Sequence, residues 1–127
     1  ANLAAVLRPG GALVFECGGA GNIASVVRVV RELGETFDPW CFAGPEETTA
    51  RLERAGFDVD GAWLAPDLVP LAPEAVVGYL ETVVLGSHLA RLPAERRRPF
   101  AEAVAARLPA LELDYVRLNV DARRRGG

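Results

Sequence analysis

At Gly18 the periodicity of the chain changes. Residues 12 to 17, ALVFEC, are a short apolar run with valine and phenylalanine, closed by a glycine at each end. Such a run is expected to be a buried strand. From Ile23 the apolar residues recur at three- and four-residue steps (Ile23, Val26, Val27, Val30, Leu33), with Arg28, Arg31 and Glu32 falling elsewhere. That spacing is one face of an amphipathic helix. Asn22 stands where an N-cap is expected and Gly34 where a helix stops. A strand handing over to a helix through a glycine turn limits the chain to an α/β layer arrangement.

The remaining segments extend this order. RPGG, residues 8 to 11, ends an opening stretch of helical propensity, ANLAAVL. After the loop TFDPWCFAGP, residues 45 to 57 form a second helix with its acids in the first turn, where the helix dipole favours them. FDVDGAWLAP reads as a strand over 57–64, and a largely helical stretch follows from about Pro73 to Leu111, broken near Pro93 and Pro109. Residues 113 to 122 then alternate cleanly. Val116, Leu118, Val120 and Ala122 face one way and Arg117, Asn119 and Asp121 the other. RRRGG, from 123 to 127, reads as a frayed, solvated tail.

Composition narrows the function classes. A length of 127 residues makes about one domain. A formal charge of −3 argues against a dedicated nucleic-acid binder, whose footprint is basic. Apolar runs are too short to span a membrane and no signal segment opens the chain, so a cytoplasmic protein is expected. Cys17, Cys41 and a single histidine do not supply the spacing of a zinc site. Buried thiols are the expectation for both cysteines. All 14 basic residues are arginine and methionine is absent.

The glycine turn raises the question of a cofactor. Gly18, Gly19 and Gly21 could let a backbone approach a phosphate at a helix N-terminus. Their order is G-G-x-G, however, where a dinucleotide fingerprint is G-x-G-x-x-G, and no lysine exists to complete a phosphate loop. A tight strand-to-helix turn, with glycines where φ is positive, accounts for them better.

The order of motifs resembles a family. VLRPGGALVFE is similar to the stretch that enters the fifth strand of class I S-adenosylmethionine-dependent methyltransferases. GGAGN, PWCF, PEETTARLERAGF and LDYVRLNVDAR, in that order, resemble the branch containing trans-aconitate methyltransferase, over about Leu7 to Arg123. The resemblance implies the C-terminal half of a Rossmann-like methyltransferase fold. Its three strands would be 12–17, 57–64 and 113–122, with the last antiparallel in the middle and a helical substrate cap over 67–111. It also implies that FECGGAGN is the turn after the fifth strand and not the cofactor loop. S-adenosyl-L-methionine would then be held by motifs in a missing N-terminal half, an expectation with which the opening at Ala1 agrees. The implied partner is a small-molecule methyl acceptor, a carboxylate or hydroxyl, with no nucleic acid and no membrane.

Five residues are substrate-side candidates under that resemblance, and none is assigned a catalytic, cofactor-binding or metal-binding role. Glu16 and Asn22 would lie at the rim of the site, where Glu16 is also read as a solvated strand end and Asn22 as an N-cap. Trp40 could wall a pocket or simply pack. Tyr79 and His88, on the cap helices, could point at the acceptor, although a lone histidine in a helix also fits surface or core. The arginines of ERRRPF could attract a carboxylate, or form a solvated face. Two other readings stay open. One is a non-enzymatic interaction module that pairs through an open strand edge. The other is a self-contained nucleotide-binding domain using Gly18 to Asn22.

Overall fold

The computed structural model describes residues 7–126, so the opening helical stretch at 1–6 lies outside the described residues. The elements are β1 (Ala12–Gly18), α1 (Ala24–Glu32), α2 (Pro45–Arg54), β2 (Phe57–Pro70), α3 (Val76–Tyr79), a π-helical turn (Leu80–Val84), α4 (Gly86–Leu89), α5 (Ala94–Arg107) and β3 (Glu112–Arg124). The chain is α/β, with a three-stranded antiparallel sheet in the order β1-β3-β2. The last strand in sequence therefore lies in the middle, as expected. The residues divide into two compact units, one of Ala1–Asn22, Cys41–Asp67 and Tyr115–Gly127, the other of Ile23–Trp40 and Leu68–Asp114. The stretch expected as a helical cap falls almost wholly in the second, together with α1.

In the first unit, β1 pairs with β3 so that Leu13 faces Ala122, Phe15 faces Val120 and Cys17 faces Leu118. The first two pairs and Leu118 of the third lie on the core face. Phe57, Leu118, Val120 and Ala122 are buried there, with Leu13, Phe15, Leu52 of α2, Val59 and Ala62 packed against them. Burying each large side chain contributes about 1.5–3 kcal/mol. The opposite face carries Val14, Glu16, Arg117, Asn119, Asp121 and Arg123.

The expected buried strand at 12–17 is an edge strand covered on one face only, and Val14 is 71% exposed. The run, apolar but for Glu16, was expected to be buried, and the sheet buries one face of it. The second edge is β2, and its position has a cause in the sequence. Pro66 and Pro70 cannot donate to a ladder, which confines them to an edge strand. That edge also lets β2 continue to Pro70, six residues past its expected end. Val59 and Ala62 both pack on the core cluster, so the two-residue alternation slips between them, at Asp60–Gly61.

At the other end, β3 runs through Arg124 into the segment read as a tail. Arg125 is tied down as well: its Nε donates to Asp58 Oδ1 at 2.9 Å and its guanidinium to the Phe57 carbonyl at 3.0 Å. Both cysteines are exposed, contrary to the expectation of buried thiols. Cys17 sits at the end of an edge strand and Cys41 in a loop, where no second layer covers them.

The second unit is helical. Val26, Val29 and Val30 of α1 are buried, as are Val76, Leu80, Leu85, Leu89, Ala101, Val104 and Leu113. The helical stretch is broken near Pro93 and after Arg107, as expected, and is interrupted again by a π-helical turn over Leu80–Val84. Leu85 N–H bonds the Leu80 carbonyl at 2.8 Å, an i→i−5 bond that widens the helix at a β-branched run, Thr82-Val83-Val84, before Gly86. Pro99, by contrast, lies inside α5 without ending it.

Candidate functional site

The glycine turn is accounted for by packing. In the first unit a Cβ on Gly18 would lie 2.7 Å from Asn22 Nδ2 and 3.0 Å from the Phe42 ring. On Gly19 it would lie 2.5 Å from Leu64 Cδ2 and 2.9 Å from Leu118 Cβ. Only Gly21 of the three has the positive φ expected of the whole turn, at 84°. Three of the turn's backbone donors are also engaged. Gly19 N–H donates to the Val116 carbonyl at 2.9 Å, Ala20 N–H to Ala43 at 3.0 Å and Asn22 N–H to Gly19 at 2.9 Å.

In the second unit the N-terminus of α1 already holds an anion of its own. The Asp114 carboxylate accepts from Ser25 Oγ at 2.8 Å and from Ser25 N–H at 3.1 Å. Ile23 N–H donates to the Asp114 carbonyl at 2.9 Å. A carboxylate at this position satisfies orphan amides and opposes the positive end of the helix dipole. Ile23, not Asn22, is the N-cap, and it stands in the left-handed region at φ 46°. For a β-branched residue that conformation costs about 1–3 kcal/mol. Its burial and its bond to Asp114 hold it there.

Asn22 therefore does a different job from the expected cap. Its side chain is buried, and Oδ1 accepts from Val116 N–H at 2.8 Å, clamping the turn to β3. Glu16 is exposed on the open face of β1, with its Oε1 3.7 Å from Arg117 Nε. Arg117 in turn lies over the Tyr115 ring at 4.6 Å. These two candidates serve local partners.

The structure does bring two others together. His88 is 3% exposed, and its ring lies 4.8 Å from that of Trp40, 5.3 Å edge-on to Phe37 and 6.4 Å stacked on Phe100. His88 Nε2 lies 3.0 Å from the Phe37 carbonyl. A carbonyl only accepts, so Nε2 carries the proton and Nδ1 presents a lone pair. That Nδ1 is buried with no hydrogen-bond partner among the described residues. An unpartnered acceptor is costly inside a protein, which sets this nitrogen apart from its neighbours. Arg91 closes the cluster by lying 3.9 Å over the Phe37 ring. Tyr79 is half-buried at the end of α3, where the π-helical turn begins. Such turns recur at functional positions, and the Thr82-Val83-Val84-Leu85-Gly86 run was the only sign of it in the sequence.

Neither a known protein-family model nor any curated protein matches the chain. Among the described residues no group of three or more histidine, cysteine or carboxylate side chains could hold a metal ion. No helix among them is long and apolar enough to cross a membrane.

Proposed function

We propose that the chain is the substrate-side part of a class I S-adenosylmethionine-dependent methyltransferase domain that acts on a small carboxylate or hydroxyl acceptor. One observation carries the reading. The last strand, β3, inserts antiparallel between β1 and β2, and the helical segment that precedes it is the insertion between the last two strands. Residues outside these 127 would supply the loop that holds S-adenosyl-L-methionine.

S-adenosyl-L-methionine, when bound, would supply a methyl group to the acceptor oxygen. A carboxylate needs only alignment for this, whereas a hydroxyl also gives up a proton. In this reading the free lone pair of His88 Nδ1 is the acceptor for that proton, and the Trp40, Phe37 and Phe100 rings that shield it form the apolar wall. Reaching Nδ1 requires one of those rings to turn aside.

Against Gly18 to Asn22 as a self-contained nucleotide cradle stand the bonds already made by Gly19, Ala20 and Asn22 N–H and the close neighbours of Gly18 and Gly19. A non-enzymatic module that pairs through an open edge keeps one observation in its favour, the exposed Val14 on edge strand β1.

Calorimetric titration of S-adenosylmethionine into the product of the complete reading frame and into the 127-residue chain separates these cases. Binding by the former and none by the latter is expected. No binding by either, or binding by the 127-residue chain, overturns the proposal.

A further inference from the structure

The helix α5 begins in a run of three arginines, and their side chains are not equivalent. Arg98 Nη1 donates to Glu81 Oε1 at 2.6 Å, and Arg97 Nε donates to the Leu92 carbonyl at 3.1 Å. Arg96 has no side-chain partner among the described residues, and it lines a cavity of about 260 Å³ whose other walls are Leu92, Pro99, Phe100 and Ala103. The spacing explains the cavity. Residues 96, 99, 100 and 103 share one face of the helix, and the small side chain of Ala103 and the ring of Pro99 leave the groove that Phe100 backs.

Glu95 and Glu102 stand one turn either side of Pro99, and neither lines the groove. Phe100 is in turn held from behind by its stack on His88. The result is an apolar slot with one uncommitted guanidinium at its wall.

We infer that this groove is a binding site for a small amphipathic monocarboxylate, its charged end on Arg96 and its hydrocarbon body against Leu92, Pro99, Phe100 and Ala103. Charge complementarity carries the inference. A guanidinium is built to take a carboxylate by two parallel N–H···O bonds. The size of the cavity limits the body. It falls just under the range of about 300–1,000 Å³ usual for drug-sized ligands, which fits a short-chain acid and not a long one. The site does not depend on the methyltransferase reading.

The test is calorimetric or NMR titration of the folded chain with octanoate, with octanol and acetate as the uncharged and tail-less comparisons. Saturable octanoate binding is expected, with octanol and acetate each at least about fivefold weaker, since the charge-assisted contact and the apolar contact are both needed. Arg96→Gln should weaken octanoate binding about five- to tenfold and Ala103→Trp should abolish it by filling the slot. Arg54→Gln, at an exposed arginine of α2 that does not line the groove, should leave it unchanged. Absence of saturable binding overturns the inference, and so does equal binding of octanol or indifference to both Arg96→Gln and Ala103→Trp. Loss of binding in Arg54→Gln to the same extent as in Arg96→Gln would also overturn it, because general positive charge and not this groove would then be the attractor.

Discussion

Replacing Gly19 with alanine tests whether the glycine turn is shaped by packing or kept clear for a ligand. Gly19 is not among the glycines with positive φ, so alanine meets no backbone strain there and the cost is steric alone. The added methyl would meet Leu64 Cδ2 at 2.5 Å, Leu118 Cβ at 2.9 Å and the Leu118 nitrogen at 3.2 Å. The tip of Leu64 can swing away. Leu118 cannot, because it is buried on the central strand and its nitrogen belongs to the backbone.

Overpacking of this kind costs about 1–3 kcal/mol. Alanine also restricts the unfolded chain, which offsets about 0.4–1 kcal/mol. The net expectation is a loss of about 1–2 kcal/mol, taking the middle of each range. Urea unfolding followed by far-ultraviolet circular dichroism reads it directly. Gly78→Ala is the control of opposite sign. A Cβ there meets nothing within 4 Å and φ is not positive, so the variant should gain about 0.5–1 kcal/mol as a helical glycine is replaced. If Gly19→Ala is as stable as the wild type, the space above the turn is open and the packing account fails.

Two further predictions concern the second unit. Asp114→Ala removes a carboxylate that accepts from both Ser25 N–H and Ser25 Oγ, and should cost about 1.5–3 kcal/mol by the same urea assay; a change below about 0.5 kcal/mol would mean that water serves those donors equally well. His88→Phe gives up the bond to the Phe37 carbonyl, worth about 1 kcal/mol, but also removes a buried unpartnered nitrogen that costs about 1–3 kcal/mol. Stability should therefore be unchanged or higher, and a loss of more than about 2 kcal/mol would show that Nδ1 has a partner in solution.

The elements with strong local signals were legible before the structure. The alternation of Val116, Leu118, Val120 and Ala122 marked β3, and all but Val116 of these are fully buried. Pro45 with Glu46 and Glu47 marked the start of α2, and Gly34, at φ 88°, marked the stop after α1. In each case the signal is a property of neighbouring residues: a period, a charge at a helix end, a backbone angle only glycine adopts without strain.

What the sequence could not state was who meets whom across the chain. The capping partner of α1 is Asp114, 89 residues from Ser25, so the local rule that favoured Asn22 had no access to it. Asn22 is freed by that substitution to clamp Val116. Gly18 and Gly19 looked like glycines of a turn, and are glycines because Phe42 and Leu118 approach them. The apolar run 12–17 implied burial, yet only its neighbours in space determine how many faces are covered. His88 was one histidine among helical residues, and its single free nitrogen exists because Phe37 and Trp40 from a distant loop close around it. Local chemistry along the backbone set the elements. Burial and long-range hydrogen bonding, which depend on residues far apart in the chain, decided what each of those side chains does.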